Sequence, residues 1–425
     1  MHTPDRSTPP VIQPIDQIRL HPPILQHLQN QIPLYIFPNE QLDLIHLLIR
    51  VKAGTLYERQ KHLAQFTYSL LKESSPRHTA NEIAGLLDFH GTYYTVSQTL
   101  EWVNISVSVP KYKMADILPI IFEFLSAPEY RDDNLSLFRN LRIKDLEYNG
   151  QKTEFRATQL LLHAMFGDTI TAGQISTKEL LSAIATHQMK AYHQETFVAE
   201  NITIFATGNL DDGLRQLINE LFSQIPSGKA VSPFGPIALP ADSTPLIQGA
   251  IPTAVQASIN LGMPNIGYLD SDKRDFSILS TLLGGYFGSR LMQRLREKEG
   301  YTYGVSSGSV YFGSQSLFII DSNVNAPDAE AAIKACFEEM QRMQDEPMPM
   351  AELDAARNYI IGDMLRDVEN SVSYMKKYAF WQSFGLSEEE FPTMMRHVRE
   401  ITPERIQALA KKYLSHNNFT QIIVK

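Results

Sequence analysis

The chain has one cysteine, Cys336, in 425 residues. A single thiol excludes an internal disulfide and any zinc cage built from several thiolates, and it fits a reducing compartment. Long apolar runs are also missing: no stretch approaches the roughly 18 uninterrupted apolar residues that a membrane-spanning helix requires. The opening MHTPDRSTPPVIQPIDQ has no basic segment leading into an apolar one, as a secretory signal would. These absences lead us to expect a soluble, cytoplasmic protein without a membrane contact, or a periplasmic one if a signal segment has been removed. Basic blocks are lacking too. The formal net charge of -9 is spread along the chain, and the basic residues do not alternate with aromatics as a nucleic-acid groove needs, so a nucleic-acid partner is not expected.

Histidine is present, with 12 in the chain, but no two stand three or four residues apart. His21 with His27 and His187 with His193 are six apart and fall on different helix faces, so no pair of imidazoles can reach one ion from one face. A glycine-rich turn at Gly284, Gly285 and Gly288 lacks the Lys-Ser/Thr pair and the parallel βαβ context of a phosphate cradle, and is assigned to close backbone packing.

What is present is enough apolar sequence for several cores, 43% hydrophobic against 20% charged, and an internal repeat. The segment from Ile175, ISTKELLSAIATHQMKAYHQETFVAENITIFATGNL, and the C-terminal ITPERIQALAKKYLSHNNFTQIIVK from Ile401 share a plan. Each has a Ser/Thr cap, an amphipathic helix, a tyrosine (Tyr192, Tyr413) and a strand. The segments from Trp102 and Ser316 form a second pair, in which an alternating strand turns at Pro110 or Pro327 into a helix of similar length. Between the copies lies PSGKAVSPFGPIALPADSTPLIQGA, where Pro226, Pro233, Pro236, Pro240 and Pro245 oppose a regular helix. The expected organisation is therefore an α+β protein of two homologous halves, each an antiparallel sheet with helices packed on it. The halves are placed at residues 1–225 and 250–425, joined by a Pro-rich linker at 226–249.

Over nearly its whole length, this arrangement resembles the inverzincin metallopeptidases, the family of pitrilysin, insulin-degrading enzyme and the mitochondrial processing peptidase. The resemblance is carried by the strand and helix LIHLLIRVKAGTLYER and HLAQFTYSLLKES in the first half. In the second half it rests on DFSILSTLLGGYFGSRLMQRLREKEGYTYGVSSGSVYF from Asp275. In that family the first-half helix bears H-x-x-E-H, and the second half supplies an Arg and a Tyr that hold substrate. Aligning Leu63, Ala64 and Phe66 places Gln65, Tyr68 and Ser69 where the two zinc histidines and the catalytic glutamate would stand. An amide, a phenol and a hydroxyl are poor neutral zinc ligands, and none is a competent general base at neutral pH. The position of the family's third ligand falls at or beside Asp145, with Glu147 close by. The second-half motif is retained as Arg296 and Tyr303, seven residues apart; Tyr301 stands on the same strand face two residues away, so the choice of Tyr303 rests on the match to the family.

The resemblance implies a chain with no metal or cofactor of its own that is inactive alone, acting as the substrate-binding subunit of a heterodimeric zinc metallopeptidase. Zinc would then reside in a homologous partner subunit, and the substrates would be peptides. The alternative is a stand-alone peptide-binding or structural scaffold of the same fold, and the isolated chain could form a homodimer. A hydrolase built on Ser69 and His62, seven apart on one helix, is the weakest reading, since no nucleophile elbow or orienting acid accompanies them.

Overall fold

The computed structural model describes residues 18–168, 170–234, 237, 239–240 and 246–425; of the linker prolines, Pro236 and Pro245 lie outside them, as does the N-terminal segment before residue 18. Two sheets organise the chain. The first contains β1 (Ile24–His27), β2 (Pro33–Pro38), β3 (Leu44–Val51), β4 (Tyr93–Gln98), β5 (Val103–Pro110) and β6 (Ile202–Gly208), in the order β1-β2-β6-β3-β5-β4. The second contains β7 (Ile247–Gly249), β8 (Gln256–Asn265), β9 (Thr302–Phe312), β10 (Gln315–Asn325) and β11 (Thr420–Val424), in the order β7-β11-β8-β10-β9. Apart from β1, the two orders are the same strand for strand, so the repeat read from the sequence is a repeat of topology. The expectation of purely antiparallel sheets needs one correction. β2 runs parallel to β6, and β7 runs parallel to β11. The last strand of each half returns after a long helical excursion and enters between the first strand and the rest, where it can only lie parallel to one neighbour.

The sequence pattern explains the centre of the first sheet. Val103, Ile105, Val107 and Val109 alternate along β5 with full burial, and they pair with Val51, Ile49, Leu47 and Ile45 of β3 to form one apolar face. The opposite face of β3 carries His46, Leu48 and Arg50, all buried as well, so β3 is covered on both sides. That second cover comes from the other half of the chain.

The helices of the first half are α1 (Leu63–Ser69), α2 (Ala80–Phe89), α3 (Lys111–Ser126), α4 (Asp132–Asn149), α5 (Thr153–Phe166), α6 (Lys178–Ser182), α7 (Thr186–Thr196) and α8 (Asp212–Phe222). Those of the second are α9 (Lys273–Ser280), α10 (Ala329–Asp345), α11 (Met350–Arg366), α12 (Ser371–Gln382), α13 (Glu390–Glu400) and α14 (Pro403–Tyr413). Most pack on their own sheet, but one helix from each half crosses over. α5 lies on β8 and β11, with Leu161 so close to β8 that a Cβ at Gly262 would stand 2.5 Å from its Cδ1. α12 lies on β2 and β6, where Phe37, Leu48 and Phe205 share one apolar cluster with Met375, Tyr378 and Trp381. Arg50 fastens this contact by donating to Ala379 O and to Ser383 Oγ at 2.7 Å. The two halves are thus distinct in sequence and joined in packing. No helix among the described residues is long and apolar enough to cross a membrane.

Candidate functional site

The segment that would carry zinc leaves β3 through a tight turn. A Cβ at Gly54 would fall 2.4 Å from Leu100 O, so only glycine lets the chain pass the 99–101 backbone. The segment then reaches His62, which takes a left-handed conformation with φ 73° and stands before α1 rather than in it. This corrects the expectation of His62 and Ser69 on one helix face. No side chain of the preceding residue caps α1. The buried Glu58 carboxylate accepts the His62 N–H at 3.2 Å and the Ala64 N–H at 2.9 Å. Desolvation raises its pKa to about 7, opposed by those backbone donors, by Thr171 and by Lys61. Burial is also the main reason the His62 pKa is lowered to about 4, with Lys61 adding to it. Sequence reasoning missed Glu58, because a carboxylate in a YER turn carries no signal of its burial.

Within α1 the three positions aligned with the zinc motif have other duties. Tyr68 is 1% exposed and belongs to the first-half core, its hydroxyl 2.8 Å from Thr196 Oγ1. Gln65 and Ser69 are half-buried. Asp145 lies partly exposed on α4 and pairs one turn back with Arg142 at 2.9 Å, as a solvated helix ion pair does. Among the described residues, no group of three or more His, Cys, Asp or Glu side chains is gathered as a metal site.

The second-half pair has the opposite character. Arg296 lies in a π-helical stretch, Met292–Lys298, which packs against β9. Its guanidinium sits 4.6 Å above the Phe287 ring and 3.4 Å from Glu297 Oε1, while Glu299 goes to Arg294 instead. Gly300 reverses the chain with φ 68°, and β9 begins at Thr302. Tyr301 is therefore outside the strand: it packs against the second-half core, with its N–H donating to Leu295 O at 2.9 Å. Tyr303 is 87% exposed. Burial separates two tyrosines that spacing left equivalent. β9 is also the end strand of its sheet, paired only with β10 among the described residues. Its outer edge thus lacks a strand partner, although the Val305 N–H is taken by Met292 Sδ at 3.4 Å. Gly284 is required by close packing in this region, since a Cβ there would meet Ser307 Oγ at 2.9 Å.

The described residues therefore form a two-sheet α+β repeat with a buried phenol, Tyr68, in α1, an Arg/Tyr pair beside β9 in the second half, and no gathered metal-site group among them. Comparison with known proteins places it more closely. Residues 183–360 match the family described as Peptidase M16 inactive domain. An uncharacterized zinc protease of Streptomyces coelicolor is 20% identical over 363 residues, covering 83% of this chain and 78% of that protein. The non-peptidase homolog YmxG of Helicobacter pylori is 24% identical over 407 residues, 93% of this chain and 92% of that one. The crystal structure of a peptidase M16 inactive domain from Pseudomonas fluorescens superposes with a TM-score of 0.86 at 21% identity, over 95% of this chain and 97% of that one. The chain is thus similar to M16 peptidase homologues over most of its length and matches their inactive domain over residues 183–360.

Proposed function

We propose that this chain is the non-catalytic, substrate-binding subunit of a heterodimeric zinc metallopeptidase acting on peptides in the cytoplasm. Zinc is supplied by a homologous partner subunit. The observation that carries this reading is the contrast between the halves: the helix aligned with the metal motif packs Tyr68 into the core, whereas Arg296 and Tyr303 stand at the surface on and beside β9, the end strand of its sheet. A guanidinium can donate several hydrogen bonds to peptide carbonyls, and a phenol can donate one to a carbonyl or a developing oxyanion. An extended peptide added to the β9 edge would be held mainly by its backbone, which accepts many sequences. The name of the Helicobacter pylori relative, a non-peptidase homolog, favours the same division of labour.

The isolated chain is expected to contain no stoichiometric zinc and to leave peptides uncut, whereas co-expression with an H-x-x-E-H homologue gives a stable complex with chelator-sensitive peptidase activity. Elemental analysis and peptide cleavage, each on the chain alone and on the complex, check this. Zinc at about one per isolated chain with cleavage would overturn the subunit reading. A chain that never associates with a zinc-bearing homologue would leave the scaffold alternative.

A further inference from the structure

Where α12 crosses onto the first sheet, the seam between the halves forms a cleft of about 480 Å³, which adjoins a second-half cavity of about 240 Å³ and shares Tyr268, Lys273, Ser277 and Lys377 with it as wall residues. The larger is walled by aromatic rings, among them Trp102, Tyr311 and Phe384. Its charged lining is unbalanced. Lys377 is paired with Asp367 at 2.6 Å. Lys273 is 7% exposed, and the carboxylate it approaches, Glu390 at 3.8 Å, is too far for a hydrogen bond. Glu390 is already gripped by the Arg274 Nε, 3.1 and 3.2 Å from its two oxygens. The Lys273 ammonium rests instead on the Tyr268 ring, 3.6 Å from its centroid. Arg50, also 7% exposed, has only neutral hydrogen-bond acceptors, Asn104 Oδ1, Ala379 O and Ser383 Oγ. Its guanidinium stacks on Trp102 at 4.2 Å. Half-exposed Glu101 also lines the cavity; its charge favours the Arg50 cation without making a hydrogen bond or close ion pair to it.

Lys273 shares the Glu390 carboxylate with Arg274, and Arg50 has no carboxylate in hydrogen-bond contact, so this buried positive charge would be stabilised by an added anion. We infer that the seam cavity is a binding site for a carboxylate with an aromatic or apolar body, whose carboxylate lies between Lys273 and Arg50 and whose body packs among the surrounding rings. Burial lowers the Lys273 pKa to about 8 despite Glu390, in keeping with an ammonium whose protein partners do not fully replace water. The site depends on neither a partner subunit nor Arg296 and Tyr303.

Both tryptophans of the chain line these cavities, Trp102 the larger and Trp381 the smaller, so intrinsic fluorescence reports directly on occupancy. Titration of the full chain with N-acetyl-phenylalanine is expected to give a saturable change. N-acetyl-phenylalaninamide, which has the body without the charge, and acetate, which has the charge without the body, should each bind at least about 10-fold more weakly. Lys273→Met, which keeps the stem, should lose about the same factor, and Lys273→Arg should recover most of it. A tripeptide ending in free phenylalanine distinguishes the source: tighter binding than the single residue assigns the site to peptide C-termini, and weaker binding assigns it to small carboxylates. Equal binding of acid and amide, unchanged binding by a folded Lys273→Met, or no saturation by any probe would overturn the inference. If Lys273→Met does not fold, the acid and amide comparison on the natural chain decides it.

Discussion

In a reconstituted complex with a zinc-bearing homologue, Arg296→Ala and Tyr303→Phe are each expected to lower kcat/KM by about 10- to 100-fold, the loss of one charge-assisted or oxyanion-directed hydrogen bond worth roughly 1.5–3 kcal/mol. Neither change should impair folding. Tyr303 is 87% exposed, and the Arg296 side chain is 36% exposed with a single ion pair to Glu297 at 3.4 Å, so little packing is lost. If the phenol faces the developing oxyanion, Tyr303→Phe acts mainly on kcat; if it holds the ground-state peptide, KM carries the change. The double variant should fall short of the product of the single effects, since both groups act on one bound peptide. Tyr301→Phe is the internal control. Its ring is packed against the second-half core, so an effect on turnover equal to that of Tyr303→Phe would contradict the assignment. Steady-state kinetics on complexes verified by size-exclusion chromatography measure all of this, and unchanged kinetics in intact complexes would show the pair to be structural.

The second large effect is on stability in acid. His46 and His193 are each 6% exposed, and burial first of all lowers both pKa values to about 4, Lys376 adding to the effect at His46. Each is satisfied as a neutral ring: His46 lies between Ser108 Oγ at 2.5 Å and Ser106 Oγ at 3.1 Å, and His193 Nε2 is 2.9 Å from Leu125 O. The unfolded chain takes up protons near the ordinary histidine pKa of about 6.5, whereas the folded chain does not until about 4. The stability these rings contribute is therefore complete above about 6.5 and is lost as pH falls through that window. The loss is about 1.4 kcal/mol per pH unit for each ring, and roughly 3 kcal/mol for each by its lower end. Urea unfolding across that window should show the decline, and His46→Gln or His193→Gln should flatten it. An equally steep decline in both variants would place the acid sensitivity elsewhere.

His46 also shows where a one-dimensional reading stops. LIHLLIRV reads as a strand, and β5 opposite it announces one apolar face through Val103, Ile105, Val107 and Val109. The polar residues His46 and Arg50 on the other face would ordinarily point to solvent. They are buried because α12, more than 320 residues away from each along the chain, lies over them. The same limit applies to the motif segments. Gln65, Tyr68 and Ser69 could be named from alignment with a known helix, yet that Tyr68 had become core required the three-dimensional contact with Thr196. Arg296 and Tyr303 were singled out from their spacing and context, and the difference between Tyr303 and Tyr301 emerged only when the strand was seen to begin at Thr302. Glu58, the carboxylate that caps α1, and the unbalanced cations of the seam left no trace in the pattern at all, since their partners are remote in sequence.

By itself the sequence determined that Gln65, Tyr68 and Ser69 offer α1 no imidazole or carboxylate, because ligand and general-base chemistry belong to residue type and no fold changes an amide, a phenol and a hydroxyl into those groups. It also determined that the chain is a repeat, because hydrophobic period and turn residues are local properties that recur in register. Only the tertiary structure decided which helix covers which sheet. α5 and α12 each present an apolar face that either sheet could bury, and amphipathic pattern specifies that a face is covered without specifying by what. The choice rests on shape and on long-range contacts, the glycine at Gly262 that admits Leu161 and the Arg50 latch on the C-terminal end of α12, and α12 brings Lys377 and Phe380 to the wall of the seam cavity.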